Sequence, residues 1–189
     1  SASATGIYGD RGAEELTEES TRGDDFLSGL ASDWEKAAEE GSNRVVIFRF
    51  GIILDSLGGA LKKMKLPFQC FAGGPIGSGK QYWPWIHYMD ACNMIALAID
   101  SDWSGSFNAV SPQQVTCKDF VKTLGKVISR PAIAPMPAWI LRLLIGERSD
   151  LLIASQRVIP KRLQELHFEW KFDTLYSALN YEYGLQVKT

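Results

Sequence analysis

Hydrophobic and polar positions change period several times along this chain, and each change predicts an element. The opening SASATGIYG reads like the end of a buried strand running into a glycine turn. From Asp24 or Asp25, either of which can cap a helix, Phe26, Leu30 and Trp34 recur every four residues; this predicts a helix to about Glu40 with those three as its buried stripe. Arg44 to Leu54, RVVIFRFGIIL, is a near-continuous β-branched and aromatic run, as in a strand covered on both faces. After Asp90, a good N-cap, ACNMIALAI predicts a second helix, and SGSFNAV from Ser104 to Val110 a short strand. Thr116 with Asp119 has the form of a capping box. Phe120, Val121, Leu124, Val127 and Ile128 then hold helical spacing. Pro137 can sit in the first turn of AWILRLLI, which would end at Gly146.

Strands alternating with helices predict an α/β fold with a doubly wound parallel sheet, and the proline-rich second half a smaller α/β lobe on its edge. The boundaries expected are 1–62 for the sheet domain and 63–189 for the lobe, with 86–100 returning to the sheet.

Bulk properties narrow the function. A chain of 189 residues, 46% hydrophobic and of formal net charge −2, can bury one substantial core. Its charges alternate in sign with no basic stripe, which argues against a nucleic-acid partner. Three cysteines, Cys70, Cys92 and Cys117, have no C-x-x-C spacing, so neither a disulfide framework nor a zinc site is indicated and a cytoplasm-like reducing compartment fits. No apolar run reaches the roughly 18 residues of a spanning helix, so no membrane insertion is expected.

One stretch carries a chemical question. In GGPIGSGKQYWPWIH, Gly74, Gly79 and Lys80 have the spacing of a phosphate-gripping P-loop. Gln81 stands where the magnesium-ligating Ser or Thr belongs, and Tyr82, Trp83, Pro84, Trp85 and Ile86 do not open the helix that such a loop requires. A glycine-rich turn is the expectation, and nucleotide hydrolysis is not.

Taken in order, SASATGIYG, WIHYMDA, SFNAVSP and QRVIPKRLQELHFEW resemble the extended short-chain dehydrogenase/reductases, the branch of sugar-nucleotide epimerases and dehydratases. GGPIGSGKQYWPWIH and SQRVIPKRLQELHFEW look more closely like an atypical branch of epimerase-family proteins of uncertain substrate. The resemblance implies a Rossmann-type sheet and hydride transfer to or from NADP(H) coupled to proton transfer at a hydroxyl. It also implies that the chain is the C-terminal two-thirds of a longer protein. The G-x-x-G-x-x-G turn that grips pyrophosphate would then lie outside it, and this stretch alone would bind the cofactor weakly or not at all.

Carried onto this chain, the resemblance makes Ser3 or Thr5 the hydroxyl that engages the substrate oxygen. The usual Tyr-x-x-x-Lys pair is missing: Phe26 or Leu27 stands at the tyrosine position and Leu30 or Ala31 at the lysine position. Tyr8 is the candidate stand-in, with packing of the turn as its alternative role. Ser3, Arg49, Phe50, Gly51 and Ile52 are the expected cofactor contacts. Gly74, Trp83, Trp85 and His87 are the expected lining of the substrate cleft, with a satisfied structural histidine the favoured alternative for His87. His87 and Asp90 lack a third ligand at metal spacing, so no metal is expected. Trp83 occupies the position where sugar-nucleotide epimerases carry a diphosphate-clamping arginine, which points to a small substrate other than a nucleotide-diphosphate sugar. A dinucleotide-binding scaffold that has lost catalysis is the alternative.

Overall fold

The computed structural model describes residues 1–41, 43–137 and 150–184. Its central sheet has three parallel strands in the order β1 (Ala2–Ala4), β3 (Val46–Phe50) and β6 (Gly105–Ala109), with Ser3 opposite Arg49 and Arg49 opposite Asn108. The third strand carries the sheet further along the chain than the 86–100 segment. After β1 a single 3-10 turn, Thr5–Tyr8, ends at Gly9, and β2 (Glu15–Leu16) pairs in parallel with the late strand β7 (Arg157–Val158).

The long 44–54 run is two strands. Gly51 separates β3 from β4 (Ile52–Leu54), and β4 leaves the central sheet to pair with β5 (Trp85–His87). The cause is a close approach. A Cβ on Gly51 would stand 2.6 Å from the Pro84 carbonyl oxygen, and the Ile52 N–H donates to that oxygen at 2.7 Å. Only glycine lets the chain cross there and change sheets. Within β3, Ile47 and Phe48 point to opposite faces and both are buried, as a doubly covered strand requires.

Helix α1 (Phe26–Glu40) starts where its cap predicts, with the Asp25 carboxylate accepting from the Ser28 N–H at 2.7 Å. Its buried stripe, however, is the reverse of the expectation. Phe26, Leu30 and Trp34 are 81%, 42% and 61% exposed, and the buried face is Ser28, Ala31, Ser32 and Glu35. Small side chains let the helix lie close on the strand ends, where the Ser28 hydroxyl donates to the Gly6 carbonyl. Glu35 is buried because a cation below it pairs with it.

Helix α2 (Gly59–Gln69) follows β4 and holds Pro67 in its last turn. Helix α3 (Tyr88–Asp100) begins two residues before Asp90: the cap is His87, whose Nδ1 accepts from the Met89 N–H at 3.2 Å. Asp90 is instead a buried clamp, accepting from the Lys171 and Phe172 N–H groups at 2.8 and 3.1 Å. Helix α4 (Cys117–Val127) has the expected capping box and buries Phe120, Val121 and Leu124. Short helices α5 (Asp150–Ile153) and α6 (Lys161–Glu165) lead to α7 (Leu175–Gly184). The helix expected over AWILRLLI lies outside the described residues.

Two cores result. Under the sheet, Phe48, Phe107, Ile86 and Met94 pack with Leu163 and Phe168. In the lobe, Trp83, Trp85, Phe120, Leu124, Phe172 and Leu179 pack together. Among the described residues no helix is long and apolar enough to cross a membrane.

Candidate functional site

Strand alternation divides the residues at the carboxyl ends of β1 and β3 between two faces. Arg49 and its register partner Ser3 face α1. There Glu35 accepts from the Ser3 hydroxyl at 2.7 Å and from Arg49 Nε and Nη2 at 2.9 and 2.7 Å. Arg49 Nη1 also donates to the Tyr8 hydroxyl at 2.9 Å, and that hydroxyl donates to Asn108 Oδ1 at 2.7 Å. Asn108 Nδ2 donates onward to the Ile159 carbonyl. Tyr8 has no exposed surface. Burial raises its pKa against the pull of Arg49, so the phenol stays protonated. Burial works against the charge on Arg49, but Glu35 and Tyr8 together outweigh it and the guanidinium is held more firmly protonated than usual.

On the other face opens a cleft of about 1240 Å³. One wall is Ala4, Thr5 and Gly6 with Phe50, Gly51 and Ile52. The other is built by the lobe: Gly74, Ile76, Tyr82 and Trp83, the α2 side chains Lys63 and Met64, and Leu152 and Gln156 from the segment around α5. It lies outside the carboxyl ends of parallel strands, where open α/β sheets bind ligands.

The structure therefore divides the expected site. Thr5, Phe50, Gly51, Ile52, Gly74 and Trp83 come together at the cleft. Ser3, Tyr8 and Arg49 are held in the ion network on the opposite face; Ser3 and Arg49 lie one residue out of phase with Ala4 and Phe50 of the cleft wall, and Tyr8 ends the 3-10 turn. Trp85 and His87 are also away from it. The Trp85 indole is buried and donates to the Gln113 carbonyl at 3.1 Å. His87 is fully buried, with Nε2 2.9 Å from Glu182 Oε1 and the ring 4.0 Å from that of Phe172. Burial pushes its pKa below the usual value although Glu182 pulls the other way. Among the described residues no three His, Cys, Asp or Glu side chains are grouped to hold a metal ion.

The glycine loop does not cradle phosphate. Its Gly77 and Gly79 N–H groups donate to the Met136 and Ile76 carbonyls, and the Gly79 carbonyl accepts from Lys118 at the start of α4. A Cβ on Gly74 would collide with the Ala134 carbonyl, so this glycine lets the loop lie against segment 134–136. Lys80 is exposed and away from the cleft. The Gln81 carboxamide, in the would-be magnesium position, donates to the Ile76 and Leu152 carbonyls at 3.1 and 3.2 Å.

Sequence reading missed α2 and with it Lys63, Met64 and Pro67. The signal was there, since Leu61, Met64 and Phe68 keep helical spacing, but Gly58, Gly59 and Pro67 mask it. It also missed Glu35 and Glu182, carboxylates on helices whose buried partners lie far away in sequence.

The nicotinamide end of a dinucleotide fits the wall formed by 4–6 and 50–52. An added Cβ at Gly6 would meet nothing within 4 Å, leaving open space beside Thr5 for a planar ring to approach the backbone.

A parallel sheet covered by helices on both faces, with a cleft beyond its strand ends, is a Rossmann-type α/β fold. Residues 136–182 match a family model described as a domain of unknown function (DUF1731). The chain is 38% identical over 182 residues to an Arabidopsis thaliana protein named epimerase family protein SDR39U1 homolog, chloroplastic, covering 95% of this chain and 52% of that protein. A crystal structure of human epimerase family protein SDR39U1 (isoform 2) with NADPH superposes with TM-score 0.92 at 34% identity, over 97% of this chain and 64% of that one. The nucleoside-diphosphate sugar epimerase of Corynebacterium glutamicum superposes with TM-score 0.77 at 35% identity, over 97% of this chain and 37% of that one. The chain thus belongs to the epimerase family of the short-chain dehydrogenase/reductases, and it spans little more than half the length of the plant relative.

Proposed function

We propose that the complete protein binds NADP(H) with the nicotinamide end against residues 4–6 and 50–52. It acts there as an oxidoreductase or epimerase-like enzyme on a small molecule that is not a nucleotide-diphosphate sugar. The observation that carries this reading is the single cleft shared by the strand ends and the lobe, with Thr5 on its wall. The NADPH named with the human relative's structure supports the choice of cofactor. When bound, the cofactor supplies or accepts the hydride. The chain's own contributions are the Thr5 hydroxyl, which would hold the substrate oxygen, and the lobe, which would keep water from the reacting carbon.

Trp83 supports the exclusion of nucleotide-diphosphate sugars. Its indole N–H is spent on the Leu152 carbonyl at 3.1 Å, and an indole has no charge to offer a diphosphate. The stretch considered alone would bind NADP(H) weakly. Free Cys70, Cys92 and Cys117 suit a reducing compartment.

A second reading is favoured by the ion network. With the Ser3 and Tyr8 hydroxyls both engaged by internal partners, the protein would bind the dinucleotide and serve as a catalytically silent regulator or scaffold. Full-length protein with NADPH, screened by absorbance against a metabolite library, separates the two. Consumption of NADPH with one metabolite, lost in Thr5→Val, establishes the enzyme. NADPH binding with no turnover across the library establishes the scaffold.

A further inference from the structure

The lobe side of the cleft defines a class of ligand. Met64, Phe68, Ile76, Trp83, Val121 and Leu152 contribute apolar side chains drawn from α2, the glycine loop, α4 and the segment around α5. Among the described lining residues Lys63 is the one charged side chain, and it is exposed. Polar groups are few: Thr5 sits at the strand ends, and the lobe wall itself carries Tyr82 and Gln156 beside its apolar side chains. Sugars and sugar nucleotides are recognised by dense hydrogen bonding and, for phosphates, by cationic forks. This wall offers neither over most of its area.

We propose that the cleft takes an extended, predominantly apolar carbonyl compound or its secondary alcohol. The oxygen lies at Thr5 and the hydrocarbon runs along Met64, Ile76 and Trp83. This rests on the reading of the cleft as the substrate side of an NADP(H) site. Lys63, at the rim, leaves room for one acidic group at the far end of such a molecule.

The test uses the full-length protein and a series of straight-chain methyl ketones from heptanone to undecanone, titrated by calorimetry with NADP⁺ present. Affinity should rise about fourfold for each added methylene, the increment of an apolar wall. Met64→Glu should weaken undecanone at least tenfold while NADPH affinity and the melting temperature hold. Met64→Ala should give a smaller loss. A flat chain-length series, an undecanone affinity indifferent to Met64→Glu, or micromolar binding of UDP-glucose overturns the proposal. If Met64→Glu lowers the melting temperature, the chain-length series and Met64→Ala decide. Failure to bind NADPH would instead overturn the cofactor reading, and the two failures are read in separate titrations.

Discussion

Glu35 accepts three hydrogen bonds, from Ser3 and twice from Arg49, and so ties α1 to β1 and β3 at a point almost closed to water. Removing one charge from such a pair strands the other in a poorly solvated site, at about 3–5 kcal/mol. Glu35→Gln should therefore lower unfolding stability by about 3–5 kcal/mol, and Ser3→Ala by about 1.5–3 kcal/mol, the loss of one bond to a charged acceptor. Urea unfolding measures both, and equal losses would show that Arg49 does not depend on the carboxylate. His87 gives a pH signature. Its pKa is depressed in the fold from the ordinary 6.5, with desolvation dominating the opposing Glu182, so the folded state prefers the neutral ring. The contribution is full above the unfolded value and is lost as pH falls below it, because the unfolded chain binds the proton more readily. Between about pH 7.5 and about pH 5.5 the wild type should lose more stability than His87→Asn. Parallel slopes for the two proteins would remove His87 as the cause.

Elements were legible wherever local rules decide them. The Asp25 cap, the Thr116 and Asp119 capping box and the 105–109 strand follow from neighbours in sequence. What was not legible depends on partners distant along the chain. The apolar spacing of Phe26, Leu30 and Trp34 finds the helix but not its inner face, because the contact under α1 is made by small residues and an ion pair with Arg49. The run from Arg44 to Leu54 reads as one strand since nothing local says that Pro84 crosses at Gly51. That crossing makes its own prediction. Gly51→Ala places a Cβ 2.6 Å from the Pro84 oxygen and 3.0 Å from the Trp85 nitrogen, both backbone atoms that cannot rotate away. The cost should be about 1–3 kcal/mol, as for other overpacked sites. It should come with weakened NADPH binding in the full-length protein, since Gly51, Ile52 and Pro84 line the cleft. Thermal melting and an NADPH titration check the two parts separately.

At the scale of the molecule, the site belongs to two layers that meet at the strand ends. Thr5, Phe50, Gly51 and Ile52 reach the cleft because they follow the ends of parallel strands, and that much was readable from the order of elements. The lobe wall was readable only in part. Gly74 and Trp83 were expected there, but Met64 and Leu152 arrive from elements whose sequence signals are broken by glycine and proline or are too short to see. This division sets how binding energy is spread. On the proposed reading the described wall would meet the nicotinamide end through glycine backbone, a threonine and apolar side chains, and the helix N-terminus on it, that of α2 with Gly59 and Ala60, does not follow the G-x-x-G-x-x-G turn of a pyrophosphate site. Each hydrogen bond to a charged group is worth about 1.5–3 kcal/mol. A site lacking two such bonds should bind about a hundredfold or more weaker. The 189-residue chain should therefore bind NADPH at least a hundredfold more weakly than the full-length protein, while nicotinamide mononucleotide, which lacks the pyrophosphate link to adenosine, should differ far less between the two. Fluorescence titration of both ligands against both proteins measures the ratio. Equal NADPH affinities would show that the phosphate grip lies within residues 1–189 and that the cleft described here holds more of the cofactor than its nicotinamide end.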